Sequence, residues 1–430
     1  MTGTLRVTSL DEAFINLAET SLMSVQFEVR VTGRLDVERL QAAMRTAVAK
    51  HPLARARLDR MRMTSTGREW EVPDTPDHLA LEVTDEPAGV VRTRLQSTEP
   101  DLYHSPAFLA TLVRDDEGDL FMLNLHHAAF DGMGAVRLMT SIARAYAGVP
   151  DELGGPPIEQ ARDLGGLIGS RNLTELMPRA KKIAADALGR KRVTRVAGDG
   201  GGAPGYRYGF ATLALTSEET AQVSALRPAG ATLNDLVLAA HALTIRRWNR
   251  EHDTTVGDSI SIMMPVNMRP SEWSTEVISN YASYLAIVVP ATVSEDLAEA
   301  TATVRDHTRP VKDNGAAGWI VDILDRGNVL PNLLKRNLQS LLPLVQNQFV
   351  ETTVVSNVGR MTIPDFGDAG PVTEVWFSPP CLSAVLPLAV GVAGVGKGLQ
   401  LVFRCDRRAL SEEAVGRYRT MFRETLLGSG

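Results

Sequence analysis

The sequence predicts an α/β protein of two lobes, each a mixed sheet flanked by helices. Segments in which apolar and polar residues alternate are interleaved along the whole chain with segments whose apolar residues recur at helical spacing. At 430 residues the chain exceeds one compact core and suits two units of about 200 residues each. A break rich in Gly and Pro separates two halves of similar helix-and-sheet character that share no short repeat. The expected organisation is an N-terminal lobe over residues 1–150, a linker over 151–205 and a C-terminal lobe over 206–430.

In chain order, Ser9 to Phe14 has the polar-then-apolar form of a capped helix start. Val25 to Val31 reads as a strand. Asp36 caps a helix whose apolar positions are Val37, Leu40, Met44, Ala47 and Val48, and His51-Pro52 ends it. His51 is there expected to serve the helix dipole and not chemistry. From Leu120 a second strand places Phe121, Leu123, Leu125 and His127 on one face and Met122, Asn124 and His126 on the other. Two adjacent histidines therefore leave the sheet on opposite sides and cannot share one role. Asp131-Gly132 breaks the strand, and Val136, Leu138, Met139, Ile142 and Tyr146 follow at helical spacing.

Gly148 to Pro157 and Gly198 to Gly205 are flexible, Gly- and Pro-rich stretches. Between them a basic segment carries Lys181, Lys182, Arg190 and Arg192, which reads first as a solvated helix. Tyr206 to Leu215 is expected as a strand, and Thr232 with Asp235 opens a helix by a capping pattern. His241, among the alanines and leucines of that helix, is expected in the core. Strands follow at Ser259–Pro265 and Ala282–Val289, and helical stretches at Ser294–Lys312 and Ala317–Gln348. Further strands are expected at Glu351–Val358, Val372–Phe377, Ala389–Ala393 and Leu399–Cys405, then a helix from Ser411 to about Leu426. Gly391 to Gly398 matches a phosphate-binding loop as far as Gly396-Lys397. Gly398 stands where the magnesium-binding hydroxyl belongs, so a turn between two strands is the better reading.

The net charge of −6 argues against a nucleic-acid binder. Two cysteines, Cys381 and Cys405, provide no disulfide framework and no zinc site. No run approaches the 18 or so apolar residues of a membrane span, and the N-terminus lacks a signal-peptide core. The expectation is a cytoplasmic monomer without stable membrane insertion.

His126-His127-Ala128-Ala129-Phe130-Asp131-Gly132 fills every fixed position of HHxxxDG. It resembles the signature of the acyltransferase superfamily with the chloramphenicol acetyltransferase-like fold. That superfamily holds the condensation domains of nonribosomal peptide synthetases, BAHD acyltransferases, wax ester synthases and polyketide-associated O-acyltransferases. The order of elements resembles it over nearly the whole chain, and Ala231 to Trp248 resembles the start of the second lobe in wax ester synthases and condensation domains. Asp365 to Gly370 is similar to the BAHD DFGWG element without its tryptophan, which supports structure and not a BAHD assignment.

The resemblance implies two lobes with the active site in a tunnel between them. An acyl group would move from a thioester, of coenzyme A or of a phosphopantetheinyl carrier protein, to a small-molecule alcohol or amine. No tightly bound cofactor and no metal is implied. A thioester carbonyl is already activated, so the missing element is a base that frees the acceptor of its proton; histidine suits that task. His127 takes the catalytic role by resemblance and His126 a structural one. Asp131 is expected to pair with Arg269, and Gly132 to allow a close approach. Ser356 and Asn357 resemble the segment that faces the histidine across the cleft, where a donor would stabilise an oxyanion. Asn280 resembles the Gly-Asn element of wax ester synthases, with Ser279 in place of glycine, and by that resemblance is expected to bind substrate or the oxyanion. A strand-end turn is the alternative for either segment. The basic segment gains a second reading as a docking surface for donor phosphates. Three functions are compatible: a stand-alone condensation-type enzyme of natural-product biosynthesis, a wax ester synthase/diacylglycerol acyltransferase-like enzyme, and a non-catalytic carrier-protein-binding module.

Overall fold

A computed structural model of the chain describes residues 3–60, 67–168, 192–201, 205–273, 275–313, 318, 351–382 and 386–428. Its first large sheet has five strands in the order β12 (Val372–Ser378), β2 (Ser24–Val31), β7 (Leu120–His126), β6 (Phe108–Val113), β5 (Leu81–Thr84). The central strands β2 and β7 are buried at every position, because both faces of the sheet are covered. Phe121, Leu123 and Leu125 join the main core with α2 (Val37–Lys50) and α4 (Gly132–Ala147). Leu120 and Met122 pack on the other face against Val91 and Leu95 of α3 (Ala88–Gln96). The strand's alternation thus assigns each residue to one of two covers.

The second large sheet has six strands: β10 (Ala282–Pro290), β9 (Ser259–Asn267), β11 (Thr353–Met361), β13 (Leu388–Val395), β14 (Gly398–Asp406) and β8 (Tyr208–Leu215). Its core includes the buried stripe of α5 (Leu233–Glu251), with Leu236, Val237, Ala240 and Leu243, and the side chains of α7 (Glu412–Leu427). Thr232 and Asp235 form the expected reciprocal cap of α5, and Asp36 caps α2. Helix α6 (Leu297–Asp313) covers the stretch expected from Ser294, while the expected helix at 317–348 lies outside the described residues except for residue 318. The glycine-rich segment at 391–398 is the hairpin between β13 and β14, with Gly396 at φ 55°. A small third sheet, β1 (Gly3–Arg6), β4 (Glu69–Val72) and β3 (Arg57–Leu58), flanks the first lobe.

One strand crosses the expected division at residue 206. β12 pairs antiparallel with β2, from Val372 opposite Val31 to Ser378 opposite Gln26, and puts Val375 and Phe377 into the first lobe's core. By sequence it belongs with the C-terminal lobe; by pairing it belongs to the first sheet. Arg404 of β14 ties the lobes from the other side. Fully buried, it donates to the carbonyls of Ser24 (2.8 Å) and Gln96 (2.5 Å), and its guanidinium lies over the Tyr208 ring.

Two histidines outside the motif sit in the cores. His241 is fully buried between Thr353 Oγ1 (3.0 Å) and the Tyr418 hydroxyl (3.1 Å), as expected for a core residue. His51 ends α2, but it is not a charged partner of the helix dipole. It is buried against Ser141 Oγ at 2.8 Å, and burial pushes its pKa down to about 3, so the ring is neutral. Packing against α4 overrides the positional expectation.

Candidate active site

β7 ends at His126, and the chain turns through Ala128–Phe130 into α4. The two histidines diverge as the alternation requires. His126 points toward the α3 side, where Nδ1 accepts from the Ala128 amide (3.1 Å) and Nε2 lies 3.5 Å from Glu99. Burial, with a smaller push from His127, lowers its pKa to about 3. His127 is held by its backbone amide, which donates to the Met23 carbonyl at 2.7 Å, and its ring lines a cavity between the lobes.

That ring is 9% exposed, and burial pushes its pKa down to about 4, against upward pulls from its own backbone and from Asp131. It is therefore an unprotonated imidazole at neutral pH, able to accept a proton. Nδ1 is buried and makes no hydrogen bond to another residue among the described residues. What faces the ring is Phe14 of α1 (Ser9–Ala18), stacked with centroids 3.8 Å apart and planes 7° from parallel. Phe14 is the residue that sequence reasoning missed. Its only signal was an aromatic on the apolar side of a short helix, and the stack forms between residues far apart in the chain. Because Phe14 screens the ring from water, Phe14→Ala is expected to raise the His127 pKa toward its ordinary value. An NMR titration of the imidazole checks this, and an unmoved midpoint would show that other walls keep it dry.

Asp131 caps α4, and both of its oxygens are spent. Oδ1 accepts from the Gly134 amide (2.8 Å) and Arg269 Nη2 (2.8 Å); Oδ2 accepts from Arg269 Nη1 (2.6 Å) and the Tyr281 amide (2.9 Å). Arg269 is buried, and it donates further to the carbonyls of Ser279 (2.7 Å) and Val277 (3.2 Å) and lies over the Tyr281 ring. This bidentate pair joins the motif turn of the first lobe to the loop between β9 and β10 of the second. Gly132, next in the chain, faces Val358 of β11 and Phe377 of β12; a Cβ there would stand 2.9 Å from a Val358 methyl. The lobes close on this point, so a side chain at residue 132 would have to displace the Val358 methyl.

Asn280 requires a correction. Expected to bind substrate, it is fully buried and does not line the cavity. Its amide donates to the His127 carbonyl at 2.9 Å, and its oxygen accepts from the Ala282 amide. It holds the backbone of the histidine from the second lobe. Ser356 and Asn357 do reach the cavity. Their alternation along β11 separates them: Val354, Ser356 and Val358 present one face to the cavity, while the Asn357 amide donates to Asn234 at 3.1 Å. Ser356 is one of the hydroxyl-bearing residues that line this space with His127, beside Ser283 and Tyr284 of β10. Lys181, Lys182 and Arg190 lie outside the described residues, and Arg192 is an exposed side chain whose backbone amide donates to Asp258.

The cavity measures about 190 Å³ and takes its walls from both lobes, including Leu10 and Val25 of the first and Met263 and Pro265 of the second. A larger polar groove, about 1080 Å³, lies over the small third sheet and contains no motif residue. Volume alone would choose it, but the convergent chemistry is in the smaller space. Among the described residues no cluster of acidic, histidine or cysteine side chains is placed to hold a metal, and no helix is long and apolar enough to cross a membrane.

Residues 14–157 match the Condensation domain family. The chain is 55% identical over 428 residues to the uncharacterized protein Rv2305 of Mycobacterium tuberculosis, covering 99% of this chain and all of that one. It belongs to the same family as that protein, and over residues 14–157 it matches the Condensation domain. Solved condensation domains share the fold across the full length. The first condensation domain of the CDA synthetase superposes with a TM-score of 0.72 at 17% identity, covering 99% of this chain and 97% of that one. A variant of the starter condensation domain of rhizomide synthetase, in complex with C8-CoA and Leu-SNAC, gives 0.71 at 13% identity, covering 98% and 94%. The TRI3 trichothecene 15-O-acetyltransferase of Fusarium sporotrichioides gives 0.71 at 12%, covering 99% and 95%. These likenesses establish the chloramphenicol acetyltransferase-like fold of this chain.

Proposed function

We propose that this protein is an acyltransferase of natural-product biosynthesis, moving an acyl group from a coenzyme A or carrier-protein thioester to a hydroxyl or amino acceptor. His127 acts as general base: it takes the acceptor's proton as the new bond to the acyl carbon forms, then returns it to the departing thiolate. Ser356, from the opposite wall, donates to the oxyanion formed between these events. The observation that carries the reading is the convergence of a neutral His127 and Ser356, one from each lobe, on the same cavity. The rhizomide synthetase structure with C8-CoA supports a thioester as donor.

The test is a transfer assay with acyl-coenzyme A and acyl-carrier donors and a mixed panel of alcohols and amines. Product from some donor–acceptor pair, absent with His127→Ala, supports the reading. No transfer from any donor, combined with saturable binding of a carrier protein, would favour the non-catalytic module. Within that assay Ser356→Ala is expected to lower kcat about 100-fold with KM for the donor changed far less. An unchanged kcat would remove the hydroxyl from the oxyanion site.

A further inference from the structure

Beyond Pro157 the expected linker forms two short helical segments, Ile158–Ala161 and Leu164–Ile168, that pack between α1 and the loop leading into β10. Leu10 of α1, Ala161 and Leu164 of the linker, and Val277 and Tyr281 of the loop make one buried apolar cluster. The Tyr281 hydroxyl donates to the Ala161 carbonyl. Beside this cluster lies Arg162, whose buried side chain reaches three separate elements. Nη1 donates to Ser279 Oγ of the loop (2.8 Å), and Nη2 donates to the Arg6 carbonyl of β1 (2.6 Å) and to Asp11 Oδ2 of α1 (2.6 Å). The same Asp11 oxygen accepts from the Thr8 amide and from Trp70 Nε1 of β4. A guanidinium suits this junction, because its planar fork bonds several partners from one fixed position.

Both ends of this clamp lead to His127. On α1, Leu10, Ala13, Phe14 and Leu17 recur at helical spacing and line the cavity, and Phe14 is the residue stacked on the imidazole. At the other end, the Ser279 carbonyl accepts from Arg269, and the next residue, Asn280, donates to the His127 carbonyl. Resting on the acyltransferase reading, we infer that Arg162 is a positioning residue of the site: by tying α1 to the 277–281 loop, it seats Phe14 on the His127 ring. Arg162 does not itself line the cavity, so its action passes through α1. With the clamp released, α1 is no longer held at stacking distance, and water reaches the imidazole. A misplacement of about 1 Å at a reacting centre costs on the order of 100-fold in rate. The titratable motif neighbours of the ring are bonded elsewhere, His126 to the Ala128 amide and Asp131 to Arg269, so the change leaves their pull on it in place.

The experiment follows the His127 ring by NMR titration in Arg162→Ala, Phe14→Ala and the double variant, with thermal unfolding to confirm that each is folded. In Arg162→Ala the midpoint is expected to rise from about 4 toward 6.5. The double variant should titrate no higher than Phe14→Ala alone, because both changes remove the same cover. A loss of stability that left the site intact would not move the midpoint at all. If Arg162→Ala does not fold, Ser279→Ala takes its place; it removes one bond of the clamp, leaves the Asp11 ion pair, and should shift the midpoint less in the same direction. In the transfer assay kcat should fall about 10- to 100-fold with KM changed far less, and the acid limb of the rate should move up with the midpoint. A midpoint that stays near 4 in the folded variant, a rise that adds in full to that of Phe14→Ala, or an unchanged kcat overturns the inference. A wild-type protein that transfers nothing from any donor overturns the acyltransferase reading instead, and the titration then decides by itself whether Arg162 seats Phe14 on the ring.

Discussion

Replacing His127 by alanine is expected to lower kcat by about 100- to 10,000-fold, the range over which a positioned base acts, while the protein stays folded. The two halves of that expectation come from different observations. The ring lines the cavity and is neutral at working pH, so its loss removes the proton acceptor. Its Nδ1 bonds to no other residue among the described residues, and the contacts that fix the strand end are made by its backbone, which alanine retains. Thermal unfolding measured beside the assay separates a chemical loss from a structural one. His126→Ala should show the opposite balance, because that ring accepts from the Ala128 amide that shapes the turn and approaches Glu99. A His126 variant with full stability would contradict its structural role.

Asp131→Ala and Arg269→Ala are each expected to destabilise the protein by about 3–5 kcal/mol, the usual consequence of stranding one member of a buried ion pair. The magnitude is at the upper end of single substitutions because each partner carries several bonds. Asp131 caps α4 and holds the Tyr281 amide, and Arg269 gathers two carbonyls of the 277–279 loop. The loop leads directly to Asn280, which grips the His127 carbonyl, so activity should fall with stability in both variants. Denaturant unfolding of the two single variants and the double variant measures the coupling. The double variant should cost much less than the sum of the singles, since the second change removes a charge already stranded. Singles that each cost under about 1 kcal/mol would mean that the pair opens to water.

Local chemistry was legible in the sequence wherever neighbours in the chain settle the outcome. Asp36 and the Thr232–Asp235 box lie where side chains reach their own helix's first amides. The alternation through β7 separated His126 from His127 before any partner was known. The motif's resemblance to its relatives supplied the Asp131–Arg269 pair, which no spacing would have revealed across 138 residues. The illegible part is long-range. Period two tells a strand's faces and not its neighbour, so nothing in Val372–Ser378 announced that it would leave its own lobe and extend the sheet of β2. An amide side chain has donors and an acceptor but no preferred direction in sequence; Asn280 therefore looked like a substrate ligand and turned out to clamp backbone. His51 looked like a helix-end cation until α4 covered it and Ser141 took its ring nitrogen. Phe14 acquires meaning only when α1 is folded over the end of β7.

The central claim is that a buried, neutral His127 is the base of the reaction. The pH dependence of single-turnover acyl transfer under saturating donor tests it most directly. A base works when unprotonated, so the rate should hold level from neutral pH downward and fall only as the pH approaches the histidine's lowered pKa of about 4. That limb should be missing from the residual rate of His127→Ala. A limb centred near 6.5, the value of an exposed imidazole, or an acid limb retained in His127→Ala, would contradict the account.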